Sequence, residues 1–199
     1  MSPRPYNLGK RRETIDQSRQ QVLAAARSLL AEPGGPAFTV DAVARRADVA
    51  RATVYYQFGS KSGLLEAVCD HLADLGGLDG LPAAFTDPDP RHGLDVFVGC
   101  FGRFWAADRA ATRRLRALAV LDPEVGAVVA ARDERRQHGL AVLVAQLPGP
   151  PAGRDHLVRV LAALTSFELF DALAGPGPDP DAAIPDVLRL VDATLAQAP

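Results

Sequence analysis

Apolar residues recur along this chain every third or fourth position, the spacing of a helix face, in block after block. Ile15, Val22, Leu23, Ala26, Leu29 and Leu30 share one side of a helix that opens near Glu13 and is stopped by Pro33-Gly34-Gly35-Pro36. A short second helix, capped by Thr39, turns Val40, Val43, Ala44 and Ala47 to one face, with the small Ala44 placed where another helix must cross closely. Asp48 to Ala50 interrupt the period, and Val54 and Phe58 restart it in a third helix. Ser60 is positioned to cap a fourth, carrying Leu64, Leu65, Val68 and Leu72. Residues 76–90 are rich in Gly, Pro and Asp and predict a loop where the domain surface changes. Beyond them the pattern predicts helices over 91–107, 111–121, 123–147, 154–174 and 185–197, with Asp122-Pro123 as a start signal. Residues 148–153 and the GPGPDPD segment separate the last of these. No alternating run is bounded by turn signals on both sides, so the fold predicted is all-α.

Composition narrows the class. With 199 residues, 48% apolar and 23% charged, the chain can bury a substantial core and is not of the disordered type. No apolar run approaches the ~20 residues a bilayer span requires, and the basic residues near the N-terminus are followed by no apolar segment of a secretory signal. The expectation is a cytoplasmic protein with no membrane partner. Cys69 and Cys100 are the only cysteines and fit neither a metal pattern nor a disulfide framework. The net charge of −2 conceals a division: residues 1–61 hold ten Lys or Arg against five Asp or Glu, and the remainder holds 12 against 19. A basic head on an acidic body is the pattern of a nucleic-acid-binding module joined to a part that does not touch nucleic acid.

The head also carries the chemistry for it. Two short helices with a tight turn leave Arg51, Ala52, Thr53, Tyr55, Tyr56 and Gln57 on the outer side of the second, a mixture of cationic, hydroxyl, aromatic and amide groups suited to phosphates and base edges. Tyr55 fits either this surface or the core. Arg45 and Arg46 read as a solvated face. Arg4, Lys10, Arg11 and Arg12 form a basic N-terminal arm of the kind that adds backbone or minor-groove contacts.

Thr39-Val40, the turn from Asp48 to Thr53, the Thr-x-Tyr-Tyr-x-Phe segment (Thr53, Tyr55, Tyr56, Phe58), Ser60-Lys61 and Leu64-Leu65 together resemble the TetR family of bacterial transcriptional repressors. The resemblance covers roughly residues 18–72. Two positions depart from the family's usual Gly-Val-Ser turn: Asp48 stands for the glycine and Ala50 for the serine. Asp tolerates the left-handed conformation at modest cost, but Ala50 cannot cap the recognition helix. The resemblance implies a flexible basic arm over 1–12, a helix-turn-helix DNA-binding domain over 13–60, and a helical regulatory and dimerisation domain over 61–199. It implies a homodimer on a palindromic double-stranded DNA operator, acting as a repressor and released by an unidentified small-molecule effector. Thr39, Tyr56 and Lys61 then resemble phosphate contacts, and Tyr55 resembles a residue at the DNA surface. For base edges, Arg51 has the fork for guanine, and Thr53 and Gln57 suit a thymine methyl or an adenine edge.

In the body, Phe97, Cys100, Phe101, Phe104 and Trp105 form an aromatic stripe that is either a core face or a pocket wall. Phe101, Phe104, Trp105, His138 and Phe167 are the candidate ligand-binding residues. Glu168 and Asp171 suit an interface, solvent or a cationic ligand. Under the resemblance, Leu157, Leu161, Leu164, Val187, Leu190 and Val191 suit a four-helix dimer interface. Catalysis has little to stand on: Cys69 with His71, and His92 with Cys100, lack a third activating group or a metal-ligand set, and no cofactor is called for. The rival reading is sequence-independent DNA binding or a helical scaffold.

Overall fold

The computed structural model describes residues 8–34, 37–176 and 180–197. Among them are eleven α-helices, two short 3-10 turns and no strand, an all-α fold as expected. The chain divides into two compact units, Met1–Cys69 and Asp70–Pro199.

The first unit contains α1 (Leu8–Ala31), α2 (Val40–Arg46), α3 (Arg51–Phe58) and the start of α4 (Lys61–Leu75). Helix α1 begins at Leu8, earlier than the apolar period, so Lys10, Arg11 and Arg12 belong to a helix rather than to an arm; Arg4 lies outside the described residues. Val22, Leu23, Ala26, Leu29 and Leu30 of α1 are buried with Val40, Val43 and Ala44 of α2, Val54 of α3 and Leu64, Leu65 and Val68 of α4. Ile15, on the same helical face, is exposed.

The second unit is built on α6 (Pro90–Ala107), which packs against α8 (Pro123–Gln146), α10 (Phe167–Ala174) and α11 (Ala183–Ala196). Helix α7 (Arg109–Leu121) pairs with α8, and α9 (Arg154–Leu164) packs against both α8 and α11. Asp at the N-cap recurs: Asp89, Asp108 and Asp122 each accept a hydrogen bond from the first turn of the helix they open, α6, α7 and α8. The core joins Leu94, Phe97, Phe101 and Trp105 of α6 to Leu140 and Leu143 of α8, Phe167 and Phe170 of α10, and Val187 and Val191 of α11. Gly102 makes the closest of these approaches possible, since a Cβ there would stand 2.5 Å from Ile184 Cγ1 and 2.8 Å from Phe170 Cε1.

Two expectations change. Residues 76–90 are not simply loop: they hold a 3-10 turn at Leu78–Gly80 and α5 (Pro82–Thr86), whose Ala84 is buried. Pro82 fits the first helical position, where its missing N–H is no loss. The single helix expected over 154–174 is two, broken at Thr165-Ser166. Ser166 leaves helical geometry (ψ 155°) and caps α10 by accepting from Leu169 N at 3.3 Å.

Candidate nucleic-acid interface

The presenting device is the α2–turn–α3 segment. The Thr39 hydroxyl caps α2, accepting from Ala42 N at 3.1 Å. At the other end Asp48 adopts φ 53°, Asp48 N donates to Arg45 O at 3.3 Å and Val49 N to Ala44 O at 3.0 Å. This paired closure is a Schellman ending, which needs a left-handed residue at that point and here obtains it from aspartate. Ala50 opens α3 without a side-chain cap, as its methyl group dictates. After α3 only two residues intervene. Gly59 takes φ 76°, and Ser60 Oγ accepts from Gly63 N at 2.9 Å to open α4.

On α3 the period sorts the side chains. Val54 is buried, while Arg51, Ala52, Tyr55 and Tyr56 are exposed, Tyr56 at 79% and Tyr55 at 38%. Tyr55 is therefore a surface residue. Thr53 and Lys61 are half-buried. Arg51 Nη1 lies 3.3 Å from Asp41, its Nη2 donates to Tyr55 Oη at 3.3 Å, and the guanidinium carbon stands 5.4 Å from the Tyr55 ring centroid. The Tyr55 hydroxyl, and after it the charge of Asp41, hold the guanidinium above the ordinary arginine pKa.

Gln57 departs from the expected outer face. Its Nε2 donates to Ser18 Oγ at 3.0 Å, and its backbone carbonyl accepts from Arg19 Nη1 at 3.3 Å. Arg19 also sits 4.5 Å over the Phe58 ring. Ser18 and Arg19 of α1 thus clamp the last turn of α3 and commit the Gln57 amide inward. Arg46 is similarly occupied, bonded to Ser28 of α1 at 3.0 Å and to Glu32, just past its end, at 2.5 Å, while Arg45 is exposed.

In the second unit, Phe101, Trp105 and Phe167 are buried in the core, Phe104 is half-buried and His138 is exposed. The ring centroids of Phe101 and Trp105 are 6.0 Å apart with the rings tilted, and those of Trp105 and Phe167 are 5.6 Å apart in an edge contact. A void of about 10 Å³ beside Trp105 and Phe167 is at most one water in size, so the aromatic stripe is a core face. A groove of about 740 Å³ lies elsewhere, along the end of α8, α9 and α11, and includes Leu147, Leu157, Val160, Leu190 and Ala193 but none of the five candidate ligand residues.

Glu168 and Asp171 face cations of their own chain. Asp171 accepts from Arg109 Nε at 2.8 Å and Arg113 Nε at 2.7 Å, and Glu168 pairs with Arg116. Burial works against the Asp171 charge, but the two arginines outweigh it and hold its pKa below the carboxylate range. Arg116 also reaches Asp133 at 3.0 Å. Sequence reasoning missed the central member, Arg136, which is 6% exposed: its Nη1 donates to Ala162 O at 2.6 Å and Thr165 Oγ1 at 2.7 Å. Burial pushes its pKa down, against the pull of Asp133.

No helix among the described residues is long and apolar enough to cross a membrane, and no group of three or more His, Cys, Asp or Glu there could hold a metal ion.

Comparison with known proteins agrees with this geometry. Residues 22–68 match the model of the bacterial regulatory proteins of the tetR family. The HTH-type transcriptional regulator EthR of Mycolicibacterium smegmatis is 32% identical over 117 residues, covering 56% of this chain and 54% of EthR. The chain spans about half the length of the curated relatives it matches. A transcriptional regulator from Rhodococcus sp. RHA1 superposes with a TM-score of 0.67 at 19% identity over 90% of this chain and 96% of its own. A regulator from Saccharomonospora viridis, solved in complex with choline, does so with a TM-score of 0.63 at 17% identity over 92% and 97%. The helix-turn-helix, its capped and left-handed turn and the family model fall on the same residues, and over 22–68 the chain carries the DNA-binding domain of the tetR family of bacterial regulatory proteins.

Proposed function

We propose that this protein is a ligand-responsive transcriptional repressor that binds a palindromic DNA operator as a homodimer in the cytoplasm. The observation that carries the reading is the exposed face of α3: Arg51, Ala52, Tyr55 and Tyr56 stand outward on a short helix anchored by Val54 and by the clamp on Gln57. Thr39, Tyr56 and Lys61 take phosphates. The Thr39 hydroxyl accepts within α2 and keeps its own hydrogen to donate, at a helix N-terminus that favours anions. Arg51 reads a guanine edge and Thr53 an adjacent base. The DNA-binding domain in this reading is 13–60 and the regulatory domain 61–199.

Dimerisation draws support from the groove along α9 and α11, where Leu190 is 41% exposed and Leu157 half-buried. Of the six residues expected at the interface, Leu161, Val187 and Val191 are buried in their own unit, so Leu157, Leu164 and Leu190 remain for a second copy. The effector acts by preferring a body conformation that holds the two heads at the wrong spacing, and shifts affinity only by its differential binding.

Substitutions separate the roles. Arg51→Ala relaxes preference at one operator position, at about 1 to 3 kcal/mol for a lost bidentate pair. Lys61→Ala weakens binding to all sequences alike and flattens the salt dependence by about one unit of slope. Competition binding on single-base operator variants checks both; an unchanged preference in Arg51→Ala removes that residue from base reading. The rival, a basic head that binds DNA without regard to sequence, predicts that neither substitution alters preference and that all binding fades with salt.

A further inference from the structure

Arg51 is the first residue of α3, where the helix dipole disfavours a cation. Its guanidinium is nevertheless held in one place by groups from two helices. Asp41, in the first turn of α2, sits 3.3 Å from Nη1, and Tyr55, one turn along α3, accepts from Nη2 at 3.3 Å. The Arg51 and Asp41 side chains are 59% and 55% exposed, and an exposed pair of this kind adds little to stability. Its consequence is electrostatic. It places a carboxylate against the cation that meets DNA.

We propose that Asp41 is a positioning residue that sets specificity, withholding Arg51 from phosphates and yielding it to a guanine edge. This rests on the DNA-reading role above. A phosphate taking Arg51 brings a second anion to the guanidinium that Asp41 already holds, and the carboxylate repels it. Guanine N7 and O6 present two uncharged acceptors in the plane of the fork and do not repel Asp41. The carboxylate therefore penalises the wrong contact more than the right one, which is how discrimination is gained by repulsion.

The test is Asp41→Asn, which keeps size and removes charge, assayed by fluorescence anisotropy on the selected operator and on an unrelated duplex over a salt series. The unrelated duplex should bind roughly fivefold more tightly at physiological salt, with a salt slope steeper by about one phosphate contact. The operator should gain less, so the specific-to-nonspecific ratio falls. Asp41→Glu should restore the ratio, and in an Arg51→Ala background Asp41→Asn should leave it unchanged. Equal gains on both duplexes, or an undiminished effect without Arg51, would overturn the proposal while the regulator reading stands. A wild-type protein that does not discriminate the duplexes overturns both.

Discussion

Replacing Arg136 by methionine is expected to destabilise the Asp70–Pro199 unit by about 3 kcal/mol, the low end of the range for breaking a buried ionic network. The reason lies in the broken helix. Ser166 N donates to Ala163 O rather than continuing the α9 ladder to Ala162 O, and Leu169 N is taken by the Ser166 hydroxyl rather than by Thr165 O. Two buried carbonyls are freed. Ala162 O is met by Arg136 Nη1 at 2.6 Å and Thr165 O by Trp105 Nε1 at 3.1 Å. Methionine fills much of the volume but donates nothing, so Ala162 O is left unpaired at about 1 to 3 kcal/mol, and Asp133 loses one of its two arginines while keeping Arg116. Urea unfolding followed by Trp105, the only tryptophan, reads this unit directly. An unchanged midpoint would mean that Arg136 is not what satisfies the break.

Phe97→Ala should cost as much or more, about 3 to 5 kcal/mol, the usual range for truncating a buried aromatic. Phe97 is fully buried. Its ring lies 4.7 Å from that of Phe101 and 6.4 Å edge-on to that of Phe85. A Cβ on Gly139 would stand 3.2 Å from Phe97 Cε2 and 3.2 Å from Phe85 Cζ, so α8 packs tightly against both rings at this position. Removing the ring leaves a space between α6 and α8 that rigid helix backbones cannot close. Thermal and urea unfolding of the variant check this, and a stability within 1 kcal/mol of wild type, far under the range for such a truncation, would contradict the packing described.

Most helices were legible because each buries one face at a regular period, and the chain's Pro, Gly and Asp residues mark their ends. The turn was legible in detail: Thr39 as a cap, Asp48 left-handed and Ala50 without a cap all follow from side-chain chemistry within three or four residues. What could not be read depends on partners remote in sequence. Nothing local distinguishes Gln57 from its exposed neighbours, because its partner Ser18 is 39 residues away. The break at Thr165-Ser166 contains neither Gly nor Pro, and the apolar period runs through it; Arg136 and Trp105, 29 and 60 residues from Thr165, meet the groups it frees. The aromatic stripe of α6 had the right spacing for a pocket wall or a core face, and only the packing of α10 and α11 onto it decides for core.

Under the proposed function, a dimer reads DNA in a sequence-specific way through α3. Selection of bound sequences from a random DNA pool at physiological salt tests it most directly. Enrichment of a palindrome with half-sites about one helical turn apart is the expected result. Recovery of no preferred sequence, with binding that only fades as salt rises, would contradict it.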